Sequence, residues 1–185
     1  MSKPAQAPRT TPAHPTLRVE LLTREKAHRQ ARSPHRGGAA RLRTVAQVDT
    51  DNAAFVSEHL IDRWLGADLV GWDGAHACAL IVLEAASPRQ RQLWLPLMQQ
   101  AVMDGWAAET DLVFLEDRAA VHAGQPQIHG TATHGDPARL WPLADPEHVN
   151  ALRKIFQLSS LPDEEITNAW TFAELGLADA GAAGE

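Results

Sequence analysis

The sequence predicts a mainly α fold: a compact single-domain helical bundle with one small antiparallel β-hairpin. Three observations carry that prediction. Apolar residues recur at helical spacing through most of the chain from Thr16 onward. One stretch, AHACALIVLEAA (Ala75–Ala86), is apolar nearly all round, as a central buried helix would be. Only QPQIHGTATH and ARLWPL, flanking the turn-forming His134-Gly135-Asp136, alternate like strands, which places the hairpin at about residues 126–143.

Taken in order, residues 1–15 are rich in Pro, Ala and Thr and read as a disordered basic arm, followed by a domain over 16–174. TLRVELLTREKAHRQAR predicts a helix from Thr16 to about Arg32, and SPHRGGAA breaks it. Val45, Val48, Phe55, Val56, Leu60 and Leu65 predict a helix over 43–65, with Asp49 and Asn52, one turn apart, as an internal cap or as polar groups facing a cleft. GADLVGWDG reads as a loop. Ser87-Pro88 is an N-cap with proline in the first turn, and Pro96 interrupts the helix it opens. A helix over 107–123 ends at Gly124. Asp145-Pro146-Glu147 starts a helix, LPDEEITNAWTFAEL holds a last short one, and 175–185 form a flexible tail.

Composition narrows the function class. With 44% hydrophobic and 22% charged residues the chain reads as an ordinary soluble globular protein. No apolar run is long enough to span a bilayer, and no secretory signal is evident. A single cysteine, Cys78, allows no intrachain disulfide, which points to the cytoplasm. Residues 1–45 carry a net charge of +8 and the remainder −14. A basic arm suits nucleic acid, but one without interleaved aromatics is expected to dock on its own acidic body, so a nucleic-acid role is the third reading.

His129 and His134 lie five residues apart, with His122 or Asp117 as the available third ligand, but strand alternation puts the two histidines on opposite faces. No metal site is therefore expected. No P-loop, dinucleotide fingerprint or serine elbow is present, so no cofactor is expected either. The same alternation sets His129, Thr131 and Thr133 on one face, where Gln127, His129 and Thr131 would line a cleft.

FLEDRAAVHAGQPQIHGT, followed by LWPLADPEHVNALRKIFQL, is similar to the bacterial DUF6624 family. Its pattern of a D-R pair, G-x-P-Q-x-Y-G-T-Q and P-(I/L)-x-D-P-x-x-V-x-x-R-R is matched by Asp117-Arg118, Gly124, Pro126-Gln127, Gly130-Thr131, Pro142, Asp145-Pro146, Val149 and Arg153. Upstream, VDTDN and ALIVLEAASP resemble the family's D-x-x-N and the end of its central helix, so the resemblance runs from about Val45 to Leu161. It implies a compact helical domain and no assigned activity. The family's central helix ends in Q-H-A-D, whereas this chain has Leu83-Glu84-Ala85-Ala86, so Glu84 stands where the family has histidine. The Y-G-T-Q run becomes His129-Gly130-Thr131-Ala132, and His129 is the residue to take over the imidazole role.

The functional expectation is a small cofactor-independent enzyme working by acid–base chemistry, as a hydrolase, lyase or cyclase, on a small polar or amphipathic molecule, in specialised metabolism. Glu84, at the end of a buried helix where apolar surroundings raise a carboxyl pKa, would pair with His129, with Asp117 as third catalytic group. Arg118 would clamp an anion. Gln127, Thr131, Asp49 and Asn52 would hydrogen-bond the ligand, and Trp72 and Trp141 would wall the pocket. The alternative is a non-catalytic module that binds a small molecule or a protein.

Overall fold

In the computed structural model, residues 11–33 and 38–177 are described, and residues 38–43 by their backbone alone. The mainly α class holds: the described residues form seven helices and one two-stranded sheet. They fall into two compact units, the first ending at Leu112 and the second beginning at Val113.

The first unit is built on α1 (Pro15–Arg32), α2 (Gly38–His59) and α3 (Ala67–Ala85), each packed on the other two. Leu21, Val56, Val70, Ile81 and Val82 are fully buried among them. Burial of a side chain of this size stabilises by roughly 1.5–3 kcal/mol. GADLVGWDG is not a loop. The helix starts at Ala67 and continues across a kink at Gly71, where φ is 73° and ψ is 165°. Glycine adopts that conformation without a Cβ penalty, so a residue type that marks turns in sequence here joins two helical stretches. Residues 11–14 were expected in a disordered arm. Instead the Ala13 and His14 amides donate to the carbonyls of Asp68 and Leu69, at 3.1 and 2.8 Å, and tie the start of α1 to the start of α3. The rest of that arm, residues 1–10, lies outside the described residues.

Helix α4 (Pro88–Met103) opens as expected. The Ser87 hydroxyl accepts from the Gln90 amide, and the Gln90 side chain accepts from the Ser87 amide, a reciprocal capping box with Pro88 in the first turn. The unit boundary falls inside α5 (Glu109–His122).

In the second unit the hairpin is far shorter than expected. Strand β1 is Thr133–His134 and β2 is Arg139–Leu140, with Thr133 opposite Leu140. Residues 128–132 form no strand, because the amides of Ile128, His129 and Thr131 bond the Asp117 carboxylate and that of Ala132 bonds the Gln127 side chain instead of a ladder. Helix α6 (Val149–Ile155) and helix α7 (Asp163–Thr167) follow. Leu175, Gly176 and Leu177, expected in a flexible tail, donate their amides to Thr171, Ala173 and Phe172, while residues 178–185 lie outside the described residues.

Candidate functional site

The residues matching the family motif in the second unit converge on one buried carboxylate. Asp117 sits on α5 with no exposed surface. Its Oδ1 accepts from the amides of Ile128 (2.9 Å) and His129 (3.0 Å), and its Oδ2 accepts from the amide and hydroxyl of Thr131, both at 2.9 Å. His129 Nδ1 lies 3.3 Å from Oδ1. A carboxylate has about four lone-pair sites, so Asp117 is saturated and has none left for a substrate proton. Gln127 is equally closed: its Nε2 donates to the Ala132 and Trp141 carbonyls and its Oε1 accepts from the Ala132 amide. Arg153 holds the carbonyls of His129 and Gly130 from α6. The His129 ring is buried edge-on against Phe156, and the buried Trp141 donates its indole N–H to the Gln125 carbonyl.

Asp117, Gln127, His129, Thr131 and Trp141 were therefore expected to face a cleft but are engaged with one another and with the backbone. The alternation behind that expectation fails because Asp117 bends residues 128–131 around itself. Arg118, the next residue on α5, is half-buried on the adjacent face. Gly130 completes the bend at φ 66°, and a Cβ there would lie 2.7 Å from Leu161 Cδ1 and 3.3 Å from Leu143 Cδ2. Gly130→Ala is expected to cost about 1–3 kcal/mol, from the left-handed backbone and the crowded contacts together, read as a lowered urea midpoint. An unchanged midpoint would show that the bend relaxes freely.

The first unit holds a part-buried polar cluster. Asp49 and Asn52 do not cap a helix; they lie mid-way along α2 and face α1. Arg32 makes a two-pronged pair with Asp49, at 3.0 and 2.8 Å. Its Nη1 also lies 2.9 Å from Nδ1 of His28, whose ring is 3.5 Å from Asp49 and buried. A guanidinium can only donate, so Nδ1 of His28 accepts and its proton sits on Nε2. One turn along, Arg24 lies over the Phe55 ring and donates to the Asp51 carbonyl and to Oδ1 of the buried Asn52.

Glu84 is exposed in the last turn of α3, not buried as expected, and its charge opposes the lowering of the His28 pKa. Glu84 lies in the first unit and His129 in the second. Trp72 is half-buried just beyond the α3 kink. His28 and Arg32 went unnoticed in the sequence because the polar end of α1 reads as a solvated face. Their signal is the spacing Arg24, His28, Arg32, one residue per turn, opposite Asp49 and Asn52.

Burial, and after it the Arg32 charge, hold the His28 imidazole below its usual pKa, against the opposing pull of Asp49 and Glu84. A histidine depressed in the folded state leaves stability intact above its unfolded pKa of about 6.5. Below that the unfolded chain binds the proton first, so stability falls with pH. The urea midpoint is expected to drop as pH falls below about 6.5, and His28→Gln is expected to flatten that slope; parallel curves for the two proteins would refute it.

Among the described residues no group of three or more His, Cys, Asp or Glu is placed to hold a metal ion, and no helix is long and apolar enough to cross a membrane. A family model described as a family of unknown function, DUF6624, matches residues 16–169. No curated protein and no solved structure matches the chain. The match spans α1 through α7, and with it both the His28 cluster and the Asp117 bend: this chain belongs to the DUF6624 family.

Proposed function

We propose that the protein is a small enzyme acting by general acid–base chemistry on a small polar or amphipathic molecule, using its own side chains. The His28 cluster does the work that the sequence assigned to His129. The observation that carries this reading is the buried imidazole of His28, held at Nδ1 by Arg32, which is itself paired with Asp49; burial lowers its pKa and so favours the neutral ring. Fixing one ring nitrogen sets the tautomer at the other. Nε2–H of His28 then donates to the substrate oxygen on which negative charge grows, and the exposed Glu84 carboxylate removes the proton. Asp49 and Arg32 are positioning residues. The single cysteine, buried in the core, suits a reducing cytoplasm.

A non-catalytic binding module is the second reading. Asn52 favours it: the side chain is buried, and its Nδ2 has no hydrogen-bond partner among the described residues, so a ligand acceptor would satisfy it. The nucleic-acid reading is weakened by the pairing of Arg18, Arg24, Arg29 and Arg32 with Asp73, Glu20, Glu25 and Asp49, which leaves less positive charge for a phosphate backbone.

The test incubates wild type and Glu84→Gln separately with a small-molecule cell extract and follows every compound by mass spectrometry. Wild type is expected to consume at least one compound that the variant leaves nearly untouched. Identical extracts after both incubations would overturn the enzyme reading. A compound retained by both proteins without being consumed would then favour the binding module.

A further inference from the structure

A cavity of about 350 Å³ opens in the first unit where the 60–66 segment and the start of α3 meet the end of α4. It shares no residue with the His28 cluster. Its walls include Trp64, Trp106, Gly66, Asp68, Gln100 and Asp104. Its size lies at the small end of the roughly 300–1,000 Å³ found for ligand pockets.

Two of its lining side chains carry buried polar atoms of opposite character, each with no hydrogen-bond partner among the described residues. Trp64 is 2% exposed, and its indole Nε1–H is unpaired. The Asp68 carboxylate gives Oδ2 to Arg63, but its Oδ1 is buried and unpaired. Such an atom is costly when left without a partner, and protein interiors rarely tolerate two on one cavity.

The backbone around them leaves no room for the site to collapse. The Gly66 amide donates to the Trp64 carbonyl at 2.9 Å, and the Ala67 amide to the Trp106 carbonyl at 2.7 Å. A Cβ at Gly66 would lie 2.8 Å from Asp68 Oδ1 and 2.8 Å from Trp106 Cβ. Glycine at this position is what lets the Asp68 oxygen sit against the main chain. Gln100 donates through Nε2 to Asp104 at 2.9 Å and bonds neither orphan.

We propose that this cavity binds a small organic ammonium compound that also carries an acceptor oxygen, of the amino-amide or amino-alcohol class. The ammonium donates to Asp68 Oδ1, and the oxygen accepts from Trp64 Nε1. The charge of the walls agrees: Asp62, Asp68 and Asp104 face a single cation, Arg63, which is already bound to Asp68. A positive ligand is favoured there, and an indole ring such as that of Trp106 suits an ammonium face.

The test follows the indole N–H resonances of ¹⁵N-labelled full-length protein by NMR. Trp64 is identified from the peak lost in Trp64→Phe, which keeps an aromatic ring and removes the donor. Titration with glycinamide and with ethanolamine is expected to shift the Trp64 peak saturably. Acetamide, which has the oxygen and no charge, is expected to need at least about ten times the concentration for half the shift. Asp68→Asn, checked for an unchanged thermal midpoint, is expected to weaken the glycinamide response by about tenfold or more. Should Asp68→Asn lower the midpoint, Asp104→Asn, which lowers the negative charge of the wall, is used instead and is expected to weaken the response at least about twofold. A Trp64 peak that does not move with either amine, or moves equally with acetamide, would overturn the proposal and leave a bridging water as the partner of both atoms.

Discussion

Asp117→Asn is expected to destabilise the second unit by about 3–5 kcal/mol, the range seen when one partner of a buried charged network is lost. The substitution keeps shape and volume, so the loss isolates hydrogen bonding. An amide has one oxygen where the carboxylate has two. Whichever way it turns, its NH₂ meets donors: the Ile128 and His129 amides on one side, or the Thr131 amide and hydroxyl on the other. At least one amide donor loses its acceptor and faces another donor, because only the Thr131 hydroxyl can turn to accept, and the remaining bonds lose their charge assistance. Thr131→Val removes one hydroxyl donor and leaves the carboxylate in place, so it is expected to cost only about 1 kcal/mol. Equilibrium urea unfolding of both variants checks the pair. Equal and small losses would mean that the 128–131 bend does not depend on the carboxylate.

The same carboxylate explains what was legible in the sequence and what was not. Local rules reached the elements governed by local contacts. Ser87-Pro88 opens α4 with the expected cap, and Gly124 follows the end of α5 in a left-handed conformation, because capping uses groups within a few residues of each other. They failed where a distant side chain takes over the backbone. Residues 127–132 alternate like a strand, yet Asp117, more than ten residues before Ile128, claims the amides of Ile128, His129 and Thr131. Asp49 and Asn52 have the chemistry of caps, and only the arginines and histidine of another helix make them a cluster. The family motif identified the right residues in the second unit. Their role there is to hold a bend, which a motif without coordinates cannot separate from a cleft.

Glu84→Gln is expected to lower turnover by about 10²–10⁴-fold, the usual loss when a positioned proton-transfer group is removed. Glu84 is exposed in the last turn of α3, and an unfolding midpoint measured beside the rate separates a lost proton acceptor from a lost fold. His28→Gln is a weaker instrument, because His28 is buried and its removal strands the Arg32 donor that it accepts. The two variants still differ in a useful way. The amide introduced by Glu84→Gln cannot take a proton, so that variant should lose most of the rate. The amide introduced by His28→Gln can still donate a hydrogen bond, so that variant should keep part of the rate. Measuring kcat/KM of both variants for the consumed compound separates these outcomes. If Glu84→Gln keeps the rate, the proton acceptor lies elsewhere, and the Arg32–Asp49 pair around His28 is a strut between α1 and α2.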